Sequence, residues 1–172
     1  MSLERFKIAQ ASDHAGFEVA LEELHAGRKT SHWIWYIFPQ LAALGRSTTA
    51  KHYGLADLKE ACAYLKDPLL RGRLWRAIDA VAAQLAQGVP LPELMGGTTD
   101  SLKLVSSLTL FELAARKLRE TEGEASDEVA RLSELCATVL EAAAQQGYPR
   151  CATTLTEVQR KQSHTDAPGA RA

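Results

Sequence analysis

The residues with the most chemical potential gather in GRKTSHWIWYIFPQ, residues 27–40. Lys29 is a compact positive charge suited to phosphate or carboxylate. His32 changes protonation near neutral pH, which makes it the acid–base candidate of the chain. Trp35 and Tyr36 offer flat faces on which a base or ring can stack. A second set follows Gly96 and Gly97: Asp100, Lys103, Ser106 and Ser107. Lys103, Ser106 and Ser107 are spaced i, i+3 and i+4, so on a helix they share one face. Lys103 also lies three residues beyond Asp100, so it either pairs with that carboxylate or is left to hold an anion. Asp100 is a plausible helix cap, and is a candidate base only if capping does not occupy it. Free backbone N–H groups over residues 98–101 are a further place for negative charge. The G-x-x-x-x-G-K-[S/T] pattern of a phosphate loop is absent.

Charge is segregated along the chain. Residues 24–56 contain no carboxylate, yet they hold Arg28, Lys29, Arg46 and Lys51 together with His25, His32 and His52. Five of the eleven Phe, Tyr and Trp residues lie in the same interval. Net charge is −1, so generic nucleic-acid binding is not expected and any attraction for anions must be local. The competing reading is structural. Trp33, Ile34, Ile37 and Phe38 sit at helical spacing and read as core. His32 can satisfy a backbone group, the lysines can be solvated or paired, and helix serines commonly bond back to their own backbone. The histidines lack metal-ligand spacing, and no metal or cofactor is predicted. Cys62, Cys136 and Cys151 form no C-x-x-C pair and are odd in number, which predicts reduced thiols in the cytoplasm rather than a disulfide framework.

The elements that must position these residues are helical. Asp13 is read as the cap of a helix running to Gly27 with Phe17, Leu21 and Leu24 inside. Ser47 or Thr48 opens a short helix through Tyr53, and Asp57 caps another through Lys66. Asp67-Pro68 is a cap followed by proline at the first helical position. Leu70, Leu74, Ile78, Val81 and Leu85 then step by helical intervals until Gly88 and Pro90. Leu104, Leu108, Phe111, Ala115 and Leu118 mark the next helix, and Leu132, Leu135, Val139 and Leu140 the last, opened by Asp127. The acidic run 120–128 reads as an exposed connection. The short aromatic run 33–38 is read as helical and broken at Pro39. The early charges of MSLERFKIAQ predict no signal peptide, and no apolar run is long enough to span a bilayer. These features predict an all-α fold: a single compact multi-helix domain over residues 1–158 and a disordered tail over 159–172.

The stretch KTSHWIWYIFPQLAALGRSTTAKHYGL closely resembles the bacterial domain of unknown function 1810 family. The blocks at 61–70, 100–111 and 146–149 fit the same resemblance, which spans roughly residues 3–150. Members sometimes carry the label "calpastatin", but calpain inhibitors of that name are disordered repeats, unlike a chain with one phased core. The resemblance implies an all-α fold and carries over as pattern positions Lys29, Ser31, His32, Trp33, Trp35, Phe38, Pro39 and Gln40, then Gly45, Ser47 and Tyr53, and later Asp100, Lys103, Ser106 and Ser107. Ile34 and Tyr36 stand where the family often has Met or Phe, with bulk preserved. The resulting expectation is a cytoplasmic protein with a pocket for an anionic, nucleotide-like or ADP-ribose-like small molecule. His32 and Asp100 are its candidate catalytic residues. Lys29, Ser31, Trp35, Tyr36, Gln40, Lys103, Ser106 and Ser107 are its candidate ligand contacts. Whether it is an enzyme stays open. The alternative is a non-catalytic protein- or nucleic-acid-binding module.

Overall fold

The fold, seen in a computed structural model that describes residues 2–122 and 127–165, is all-α. Its helices are α1 (Glu4–Gln10), α2 (Phe17–His25), α3 (Ile34–Ile37), α4 (Thr48–His52), α5 (Leu58–Lys66), α6 (Pro68–Ala86), α7 (Leu91–Leu94), α8 (Thr98–Glu122), α9 (Asp127–Gln145) and α10 (Ala152–Thr165). A 3-10 turn covers Ala42–Leu44. Extended pairing among the described residues is limited to an isolated parallel bridge between Leu41 and Leu55.

Side-chain caps start several helices where the sequence signals them. Ser47 Oγ accepts the Ala50 amide at 3.1 Å, and Asp57 Oδ1 accepts the Glu60 amide at 2.9 Å. Asp67 accepts from Leu69 and Leu70 while Pro68 occupies the first turn. The apolar stripes then bury as their spacing demands. Leu70, Leu74, Ile78 and Val81 of α6 are almost completely inaccessible, as are Leu104, Leu108 and Phe111 of α8. Helix α8 is the hub: α5 and α9 pack along it, and α3, α7 and α10 also contact it. Helix α6 bridges α2, α5 and α9. Trp33, Ile34, Ile37 and Phe38 are core, each 1% exposed or less. Phe38, before Pro39, takes φ −123° and ψ 71°, which ends α3 after one turn.

The structure departs from the sequence expectations at element boundaries. Helix α1 is additional, and α2 starts after Gly16 rather than at Asp13. A Cβ on Gly16 would lie 2.1 Å from Ser12 O, so chain crowding, not a side-chain cap, sets that start. Short α7 is also additional. Asp100 is the third residue of α8 and not its cap. Glu120 and Glu122 belong to α8 and Glu128 to α9, whereas residues 123–126 of the expected acidic connection lie outside the described residues. The polar stretch from Gln159, expected as a disordered tail, continues α10 to Thr165; residues 166–172 lie outside the described ones. Within that stretch the Lys161 ammonium donates to Ala56 O, which ties this part of α10 to the chain before α5.

Candidate functional site

The loop after α2 is organised by a carboxylate from outside the acid-free interval. Glu23, near the end of α2, accepts hydrogen bonds from the amides and hydroxyls of Thr30 and Ser31 and from Trp33 Nε1. Burial alone would raise its carboxyl, but these donors outweigh it and lower the pKa to about 2. Gly27, with φ 80°, allows the chain to reverse after α2 and bring those donors back over Glu23.

The same loop is pinned to the turn before α8. The Lys29 amide donates to Leu94 O at 2.8 Å. Gly96, at φ 74°, lies so close that a Cβ would stand 3.0 Å from Lys29 O. The Lys29 side chain is buried. Its Nζ donates to Ser31 O at 2.6 Å, pairs with Asp100 Oδ2 at 2.9 Å and lies 5.0 Å from the centre of the Trp33 ring. Asp100 Oδ1 meets Lys103 Nζ at 3.3 Å, and that ammonium lies 5.0 Å from the centre of the Trp35 ring. Two segments far apart in sequence therefore converge on one carboxylate. Two ammonium groups and one carboxylate leave a formal excess of one positive charge. Lys29 and Asp100 form the inner pair, whose burial makes each partner dependent on the other. Lys103 and Trp35 form the more accessible edge.

The other sequence candidates fall around this cluster. Ser31 uses its hydroxyl and amide on Glu23 and its carbonyl on Lys29. His32 is exposed, and its ring makes no hydrogen bond or ion pair with the described residues. Tyr36 is half-buried; its hydroxyl donates to Ala15 O at 2.7 Å and its ring meets Tyr53 edge-on at 5.1 Å. Burial, with Tyr53 beside it, raises the Tyr36 phenol. The Gln40 carbonyl accepts the Leu55 amide. Ser106 and Ser107 are buried in α8. Ser106 Oγ donates to Leu102 O at 2.9 Å, and Ser107 Oγ has no hydrogen-bond partner among the described residues. The helical face shared by Lys103 and the serines therefore runs from the surface at Lys103 into the core. Glu23 is the participant that sequence reasoning missed. The available signal was a loop rich in donors, Thr30, Ser31 and Trp33, whose nearest upstream carboxylate is Glu23.

Among the described residues no three His, Cys, Asp or Glu side chains are placed to hold a metal ion. Cys62, Cys136 and Cys151 form no disulfide among the described residues, and burial pushes the Cys136 thiol up. No described helix is long and apolar enough to cross a membrane.

A helical fold built around the KTSHWIWYIFPQ loop and the α8 start defines the class. The family described as "Protein of unknown function (DUF1810)" matches residues 1–128, and the chain belongs to that family. It is similar in structure to the conserved hypothetical protein Rv1873 from Mycobacterium tuberculosis, with a TM-score of 0.69 and 34% identity over 91% of this chain and 96% of that one. Comparison with curated proteins found no match.

Proposed function

We propose that this protein binds an anionic small molecule, nucleotide-like or ADP-ribose-like, at the Lys29–Asp100–Lys103 cluster. The observation that carries this reading is the sharing of Asp100 by two lysines, each placed over an indole. Lys29 holds Asp100 from the buried side. Lys103 makes the longer contact and is the more accessible, so it is the ammonium that can exchange Asp100 for a ligand oxygen. A phosphate at Lys103 leaves Asp100 paired with Lys29, and the Trp35 ring beside it supplies a face for a base. Asp100 acts in this reading as the bridge between the lysines. A base role would require Lys103 to leave it. If the ligand is turned over, proton transfer falls to His32, the exposed titratable group of the same loop.

The alternative of a protein- or nucleic-acid-binding module draws less support. Such a module would anchor on Trp35 and Tyr36 together, but the Tyr36 hydroxyl is already committed to Ala15 O and its ring to Tyr53.

Thermal unfolding with ADP, ADP-ribose, AMP and inorganic phosphate tests the proposal. Stabilisation by an adenine-bearing anion is expected, together with its loss in Lys103→Ala and Trp35→Leu variants that keep the helical circular-dichroism spectrum. No stabilisation by any of these anions overturns it, as does stabilisation unchanged in both variants.

A further inference from the structure

A second basic site lies on a different part of the molecule. Helices α5, α8 and α10 enclose a groove with a cavity of about 550 Å³, continued by a smaller one of about 270 Å³. The two share Leu58, Lys117, Glu120, Val158 and Gln162, so they form one elongated depression. Its apolar lining is aliphatic: Leu58, Leu113, Leu118, Leu155 and Val158. Among the described residues no aromatic ring lines either part. Its rim is predominantly basic. Lys59, Arg116 and Lys117 are exposed there and form no ion pair with the described residues. Lys66 and Lys161 also line it, the latter donating to Ala56 O at 2.5 Å. Among the described lining residues the carboxylates are Asp57 and Glu120, and Asp57 Oδ1 caps α5 at the Glu60 amide.

We infer that this groove binds an anionic amphipathic small molecule, an alkyl chain ending in a carboxylate or phosphate, with its chain on the aliphatic floor and its head at Lys59, Arg116 and Lys117. The larger cavity falls within the roughly 300–1,000 Å³ range of small-molecule sites. Aliphatic walls favour a flexible chain over a planar base, which would find no ring to stack on. Lysines suit a compact anionic head, which they hold as point charges. Burial of the chain supplies most of the free energy and the head supplies orientation. The site shares no residue with the Asp100 cluster, and the two ligand readings stand independently.

Isothermal titration of the full chain with sodium decanoate, decyl phosphate, 1-decanol and succinate tests the inference, alongside Lys59→Glu/Lys117→Glu. Decanoate or decyl phosphate is expected to bind one molecule per chain, and whichever binds more tightly names the headgroup. The neutral alcohol, the chainless dicarboxylate and the double variant are each expected to bind at least about tenfold more weakly. Amide chemical-shift changes are expected around Leu113 and Leu155, and Lys103→Ala should leave binding unchanged. Both substituted lysines are exposed, so the double variant should keep the wild-type circular-dichroism spectrum and melting temperature to within a few degrees. The inference is overturned by equal binding of decanoate and 1-decanol, by undiminished binding in a folded double variant, or by no heat from either anion up to about 1 mM.

Discussion

The Asp100 cluster and the α5–α8–α10 groove both collect lysines, but they neutralise them differently. At Asp100 a buried ammonium and an accessible one share a carboxylate, with indoles above both. In the groove, Lys59, Arg116 and Lys117 stand on an aliphatic surface with no ion-pair partner among the described residues. In the first arrangement Lys29 and Asp100 are part of how the α2–α3 loop docks on α8, so under the proposed function ligand recognition would be coupled to folding. In the second the cations are exposed at the rim of a groove. Net charge near zero conceals both, since it sums over the whole chain.

That contrast is broken most directly at Asp100. Asp100→Ala leaves the Lys29 ammonium buried without its carboxylate and should cost about 3 kcal/mol in urea unfolding. Adding Lys29→Met should recover much of that loss, which a double-mutant cycle reads as coupling. A cost below about 1 kcal/mol would show that the inner pair is solvated like any surface pair.

Glu23→Gln comes next. It weakens several hydrogen bonds to one charged acceptor and should cost about 2 kcal/mol at pH 7. Its pH dependence has a definite sign. The folded carboxyl is depressed to about 2 from the ordinary 4.5, so its stabilisation is fully present above about pH 4.5 and is lost as pH falls toward 2. Urea midpoints measured from pH 7 to pH 2 should therefore converge for wild type and variant. A gap that is constant with pH would assign the loss to packing instead.

Smaller effects sharpen the comparison. Lys103→Ala removes an i,i+3 pair that is partly exposed and should cost less than about 1 kcal/mol, despite its expected effect on ligand binding. Lys59→Ala and Lys117→Ala should change stability by less than about 0.5 kcal/mol. A larger loss at either position would mean that the groove lysines are structural, as Lys29 is.

Much of the helical architecture was legible because its signals are local. Ser47, Asp57 and Asp67-Pro68 each name a helix start through bonds to amides two or three residues away. The stripes of α6 and α8 announce their buried faces by spacing alone. The start of α2 was not legible, since it depends on Gly16 passing close to Ser12. Neither was the continuation of α10, whose polar end reaches back to the body through Lys161 and Ala56 O. In the site, Lys29, Asp100, Lys103, Trp33 and Trp35 could be singled out by type and position. Glu23 left only an indirect signal, the donors Thr30, Ser31 and Trp33 downstream of it, and the burial of Ser106 and Ser107 left none.

The sequence by itself determined the all-α class, several helix boundaries and the separation of lysines and aromatics from acids. Caps and periodicity act over a few residues, and charge composition is visible without a fold. Tertiary structure decided which charges meet. Docking of the 28–33 loop against α7 and α8 brought Lys29 to Asp100 across 71 positions of chain, and packing of α10 beside α5 and α8 enclosed the basic groove. Both depend on distances between remote segments, which only burial of the shared core sets.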